Sequence, residues 1–344
     1  MNIYIFQWIS DLGGADTRLK DLIKLLGNNK KYNIYCIPND NMRFLEKDNI
    51  KFYNKYGIDY ISWQTLPKKT DGIALSFCNF RLFSEDWRIK KIKDIGLKFV
   101  WSNDMMWHTK EEIKAVNDKM IDGYLYTSDF HKSKMSSEEI KNNTKEFIIP
   151  NYFDSDSYVF FERSKKDLFT IGKHSRPAPE KFSVDFPLFY QNLNLRNPKY
   201  RIMGVDNKIK DKFKWYNFNE QWELLQPNQE TTSDFLNSLD TYIYNSHPDF
   251  IENQSRAITE AALNGLPIIA PNKYNFPNQI INKETGFLCD SYEEYKNYAK
   301  ELENSFSLRK EMGLKASKIT RDIWCNKDKQ LNTLEEIFSE VMNG

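Results

Sequence analysis

Apolar positions along the chain recur in two alternating rhythms. Short apolar runs at residues 3–8, 33–38, 72–77, 98–102, 124–128 and 147–150 have the length of buried strands. Stretches with helical spacing separate them. Leu19, Leu22, Ile23 and Leu26, at i, i+3, i+4 and i+7, predict an amphipathic helix over residues 16–27. A polar break at residues 151–166, NYFDSDSYVFFERSKK, interrupts the pattern. It then restarts, with strands expected at residues 168–172, 200–205, 222–225, 241–244 and 267–270 and long helical patterns over 291–342. Strand–helix alternation of this kind predicts an α/β chain of two doubly wound halves, each a parallel sheet covered on both faces. No short-period repeat or low-complexity tract interrupts it.

Length agrees with two halves: 344 residues at roughly 100–200 per domain suggest two domains. Hydrophobic residues make up 40% and aromatics 15%, enough for two cores, while a mean hydropathy of −0.68 implies a heavily charged surface. The balance of 49 basic against 48 acidic residues lacks the basic excess of a dedicated nucleic-acid binder. A nucleic acid as acceptor substrate stays open. Cys36, Cys78, Cys289 and Cys325 are too dispersed for zinc-type pairing. Three of them sit in strand-like runs, which reads as buried free thiols in a reducing compartment. The chain opens on a strand-like run without a basic and then apolar leader, and no apolar run approaches the ~18 residues of a membrane span. A cytoplasmic protein is expected.

Chemistry concentrates in residues 248–290. Glu252 and Glu260 stand with seven residues between them, Arg256 among the seven. A helix-like run, a Gly265-Leu266-Pro267 stop, an apolar strand and a Thr285-Gly286-Phe287 turn follow. A helix N-terminus flanked by carboxylates suits a phosphorylated, hydroxyl-rich ligand: amides and the helix dipole face phosphate, and carboxylates accept from sugar hydroxyls. The same two glutamates also read as ordinary surface carboxylates of an amphipathic helix. Ala257, Ile258, Ala261, Ala262 and Leu263 put one helix face into a core, however, and Glu260 among them is costly unless a ligand or partner satisfies it. Two further loops carry candidates. Gly13-Gly14, after the first strand, lets backbone approach a phosphate or merely ends the strand. It matches neither the dinucleotide fingerprint nor a Walker loop. Arg176 and Lys181, on the loop after Gly172, place two cations at a crevice mouth, or else on a solvated loop.

Taken together, Glu252-x7-Glu260, the run from Ala261 to Ala270, Thr285-Gly286-Phe287-Leu288, Gly13-Gly14, Ser128-Asp129-Phe130-His131, Ile149-Pro150-Asn151 and the loop from Gly172 to Lys181 resemble the retaining glycosyltransferases of the GT-B fold, family-4-like (glycosyl transferases group 1). The resemblance spans about residues 1–290, in order. It implies two Rossmann-like domains facing a central cleft. Residues 1–155 would form an acceptor-side domain and 156–326 a donor domain, with the helix of 327–344 crossing back to the first. Arg176 and Lys181 would hold the donor diphosphate and Glu260 the ribose hydroxyls. Glu252 would position the transferred sugar, with the backbone of Asn253, Gln254 and Ser255 near the phosphate and Gly13 and Gly14 beneath it. No metal and no cofactor are implied, the nucleotide diphosphate sugar being a substrate. Retention is ascribed to front-face attack with the departing phosphate oxygen as base.

Three departures bear on donor identity: Ser255 replaces a common glycine, the run Trp101-Ser102-Asn103-Asp104 lacks a common histidine, and the approach from Ser246 to Ile251 is long. Asn103 or Asp104 is then the candidate facing the sugar. Rival readings are an inverting transferase using Asp16 or Asp104 as base, a nucleotide-sugar epimerase, and a non-catalytic nucleotide-sugar-binding subunit. Trp101 and Trp107 read either as core or as an acceptor-stacking pair. The basic segment from Trp87 to Lys98 reads either as a solvated helix face or as a peripheral contact with the inner membrane face, for a lipid-linked, glycan or other hydroxyl acceptor.

Overall fold

The computed structural model describes residues 1–9, 14–27, 29–39 and 47–344. The chain divides into two units, one of residues 1–154 with 326–344 and the other of residues 155–325.

In the first unit the strands are β1 (Asn2–Ile5), β2 (Asn33–Cys36), β3 (Asp59–Tyr60), β4 (Ile73–Phe77), β5 (Lys98–Ser102), β6 (Gly123–Tyr126) and β7 (Lys145–Ile148), six of them at the expected apolar runs and the two-residue β3 where none was expected. Among the described residues they form one sheet, order β3-β2-β1-β4-β5-β6-β7, parallel throughout. Alternate residues feed two cores. Ile3 and Ile5 join Leu19, Leu22, Ile23 and Leu26 of the helix Gly14–Gly27 on one face, while Tyr4 and Phe6 join Trp101 and Tyr124 on the other. The final helix, Lys327–Asn343, buries Leu334, Ile337, Phe338 and Val341 in the first of these cores.

The second unit holds β8 (Phe169–His174), β9 (Pro198–Met203), β10 (Trp222–Leu225), β11 (Thr241–Ile243), β12 (Ile268–Pro271) and β13 (Gly286–Cys289). They form a parallel sheet of order β10-β9-β8-β11-β12-β13. One expectation changes here: of the turn expected at Thr285-Gly286-Phe287, Thr285 closes a turn but Gly286 and Phe287 already belong to β13, and Gly286 is needed because a Cβ there would meet the Ile268 carbonyl oxygen at 2.5 Å. The long helical patterns expected over 291–342 form the helices Tyr292–Asn304, Phe306–Trp324 and Lys327–Asn343. Ser305 and Asn326 supply the breaks by capping, accepting from the amides of Leu308 (3.2 Å) and Lys329 (3.0 Å). Cys78 does not lie in a strand: it follows β4 in the left-handed region, φ 51°.

The basic segment after Trp87 forms the helix Asp86–Asp94, and its apolar residues Ile89 and Ile92 are buried in the first unit's core. That face is therefore committed to packing, leaving Trp87 as its exposed apolar side chain. No helix among the described residues is long and apolar enough to cross a membrane.

Candidate donor site and its companion cluster

Strand order in the second unit reverses between β8 and β11, the switch point at whose carboxyl ends open α/β sheets bind ligands. The loops leaving those two ends carry most of the candidates. β8 closes on Gly172-Lys173-His174. A Cβ on Gly172 would lie 1.8 Å from the Arg201 carbonyl oxygen of β9, so the strand pair requires glycine there.

Lys181, on the loop after β8, contacts the carboxylate Oε1 of Glu252, on the loop after β11. The same oxygen accepts from the Tyr244 hydroxyl at 2.6 Å, and the Lys181 ammonium also lies 3.9 Å from the centroid of the Phe250 ring. Glu252 is buried and Lys181 largely so. Burial and the Glu252 charge raise Tyr244's phenol well above its ordinary value, keeping it a donor.

Glu260 lies in the second turn of the helix Arg256–Leu263, one side of which is packed in the core. Its carboxylate is satisfied by protein: His174 Nε2 at 2.9 Å, the Tyr158 hydroxyl at 3.1 Å and Arg256 Nε at 3.6 Å. Burial alone would raise its pKa, but the hydrogen bond from His174 and the charge of Arg256 outweigh burial and hold it below the ordinary carboxylate value. Gly265, which ends the helix at φ +78°, sits where an αL residue closes the last turn.

Asn253, Gln254 and Ser255 are all buried. The Ser255 amide donates to the Gln279 side chain (2.9 Å) and the Gln254 amide to the Asn253 side chain (2.5 Å). Arg176 stands at the surface, 3.1 Å from Glu180, with both side chains well exposed. Gly13 lies outside the described residues, and Gly14 is the exposed first residue of its helix.

Sequence reasoning missed Lys173, Tyr158 and Tyr244. Lys173 is 1% exposed, donates to the carbonyls of Lys181 and Asn245, and lies among the rings of Phe182 (4.7 Å), Tyr244 (5.5 Å) and Phe186 (5.7 Å). It thus joins the two loops that present Lys181 and Glu252. Burial drives its pKa well down, neighbouring Lys181 acts in the same direction and Glu252 opposes them. Lys173 lies one residue past the strand expected at 168–172, which β8 extends through His174.

The first unit has a second polar cluster at the carboxyl ends of β4 and β5. Arg18 donates to Ser102 Oγ at 2.8 Å and pairs with Asp104, whose Oδ1 also accepts from Ser102 Oγ at 2.7 Å. Asn103 is fully buried: its amide donates to the Trp107 carbonyl at 2.8 Å and to Glu112 at 3.1 Å, and its oxygen accepts from Met105. Of the two candidates after β5, Asp104 is the more exposed, at 16% of its side chain. Among the described residues no group of three or more His, Cys, Asp or Glu side chains is placed to hold a metal ion.

Residues 178–319, within the second unit, match the family described as Glycosyl transferases group 1. Solved structures of the same fold include Anabaena HepE in complex with UDP-glucose (TM-score 0.73, 13% identity, 98% of this chain and 100% of that one covered). A glycosyltransferase from Rickettsia africae ESF-5 is similar at TM-score 0.74 and 15% identity, with 100% and 98% covered. Sucrose-phosphate synthase from Thermosynechococcus elongatus is similar at TM-score 0.73 and 11% identity, with 100% and 99% covered. No curated protein matches the chain in sequence at a significant level. The family match lies within the second unit, and the two parallel sheets have the GT-B fold of these structures.

Proposed function

We propose that the protein is a retaining glycosyltransferase that works without a metal ion, moving a sugar from a nucleotide diphosphate sugar to an acceptor hydroxyl. The observation that carries this reading is the Lys181–Glu252 contact at the carboxyl ends of β8 and β11, with Glu260 on the helix that follows. An ammonium held against a carboxylate lets one group meet the donor's phosphate while the other meets the hydroxyls of the sugar being moved. Lys181 and Arg176 stabilise the charge that grows on the leaving diphosphate. Glu252 orients the ring, and Glu260, kept ionised by His174 and Arg256, accepts from the ribose.

Purified protein tested by thermal shift against UDP, GDP, ADP, dTDP and CMP and their sugar conjugates, with EDTA present, tests the donor site. One nucleotide and its sugar should raise the midpoint by mass action, and Glu260→Ala should lose that shift. A shift unchanged in Glu260→Ala refutes the ribose role. The anomeric configuration of the product then decides between retention and an inverting reaction with Asp104 or Asp16 as base. Binding without any turnover of donor would identify a non-catalytic subunit.

A further inference from the structure

The links that leave β4 and β5 in the first unit present a stacked pair of aromatic rings, Phe80 resting against the core and Trp107 standing outside it. Phe80, two residues past Cys78, and Trp107, on the link between β5 and the helix Lys110–Asn117, stack with ring centroids 5.1 Å apart and planes 18° from parallel. Trp107 is 49% exposed. The other member of the expected pair, Trp101, is fully buried. It meets Phe80 edge-on at 5.5 Å and donates from Nε1 to Glu112 at 2.7 Å.

What makes the pair more than a stray surface tryptophan is its foundation. Glu112 is wholly buried and accepts from Trp101, Asn103 and, at 2.6 Å, the Tyr124 hydroxyl. Asn103 in turn holds the Trp107 carbonyl, and Trp101 supports Phe80. Both halves of the stack are therefore fixed from below by one buried carboxylate network, while the indole of Trp107 is left to solvent. A rigid aromatic surface held exposed at the carboxyl end of a doubly wound sheet lies where such sheets bind ligands.

We infer that the Phe80–Trp107 stack is a carbohydrate-binding platform that receives one sugar ring of the acceptor. A pyranose offers one face of C–H groups, which an indole's electron-rich face attracts while both lose apolar surface to water. The ring hydroxyls remain at the edge, where they keep their hydrogen bonds to water. The inference rests on the glycosyl-transfer reading for the word acceptor, but its geometry belongs to the first unit alone. It commits the acceptor to a glycan or glycoconjugate with a sugar ring near the attacking hydroxyl, rather than a bare lipid or a peptide.

The test uses full-length protein on an array of immobilised glycans. Wild type, Trp107→Ala and Trp107→Phe are compared, with thermal midpoints recorded for each, while donor turnover is measured separately on wild type. The glycans that wild type retains should bind Trp107→Ala about tenfold more weakly, and Trp107→Phe should restore most of the loss. Equal retention by Trp107→Ala and wild type, or no carbohydrate retained by wild type, overturns the platform. Loss in Trp107→Ala that Trp107→Phe does not restore assigns the effect to packing and also overturns it. Glycan retention that depends on Trp107 without turnover of any nucleotide sugar would uphold the platform and sink the enzymatic reading.

Discussion

Lys181 and Glu252 come from loops 71 residues apart in sequence and meet as a largely buried ion pair. Such a pair is worth little against an apolar substitute, but removing one partner strands the other. Lys181→Met should therefore destabilise the protein by about 3 kcal/mol, since Glu252 would keep only the Tyr244 hydroxyl. The double variant Lys181→Met/Glu252→Gln should be more stable than the sum of the single changes by at least ~1 kcal/mol. Urea midpoints of the four proteins measure this. Additive effects would mean that the two residues do not act as a pair. All three variants should lose transfer activity.

Arg176 separates catalysis from stability. Its ion pair with Glu180 is exposed on both sides, so its loss should change stability by no more than ~1 kcal/mol. If it stabilises the departing diphosphate, Arg176→Ala still costs ~2–4 kcal/mol of transition-state stabilisation, roughly 30- to 1,000-fold in kcat/KM. Steady-state rates beside a melting curve read both numbers. Normal kcat/KM would remove Arg176 from the phosphate site.

Lys173 is expected to act through position. It joins the carbonyls of Lys181 and Asn245, so Lys173→Met, which fills the same aromatic surroundings, frees both loops. Small displacements at a reacting centre carry large kinetic penalties, and a loss of roughly 10- to 100-fold in kcat/KM for donor is expected. Lys173→Arg, which keeps N–H donors for the two carbonyls, should retain more activity than Lys173→Met, with thermal midpoints recorded for both. If the two variants are equally impaired, the hydrogen bonds to the carbonyls are not the cause.

The order of elements was legible because strand and helix periods differ and the chain alternates them cleanly. The candidates around Glu252 and Glu260 were legible because that helix, its cap and the following strand are contiguous in sequence. Contacts made across sequence were not. Tyr158 reaches Glu260 from 102 residues away and lies in a segment whose charge marked it only as a break. Arg18 and Asp104 stand 86 apart, and nothing local pairs them. β13 was hidden because Thr-Gly is a turn signal in isolation, whereas here the glycine answers a close approach of β12. The fate of the two tryptophans, one buried and one exposed, depends on register at the end of β5, which periodicity alone does not fix.

His131 gives the clearest expectation about pH. It is fully buried, its Nδ1 accepts from the Thr127 amide at 3.1 Å, and its Nε2 donates to the Met105 carbonyl at 3.1 Å. The neutral ring satisfies both bonds, and a second proton on Nδ1 would face an N–H. Burial lowers its pKa to about 4; the nearby Asp104 charge and the Met105 carbonyl oppose that, and Arg18 adds to it. In the unfolded chain the value is near ~6.5. Between those limits the unfolded chain binds the extra proton and the native ring does not, so stability rises with pH across the window and is lost as pH falls from ~6.5 toward 4. The loss is on the order of 3 kcal/mol. His131→Gln, which keeps a donor for Met105 but cannot titrate, should be less stable than wild type at pH 7, and the gap should narrow steadily toward pH 4.5. Unfolding midpoints of the two proteins that run parallel across that range would show that His131 titrates alike in both states, and the neutral buried ring would have to be abandoned.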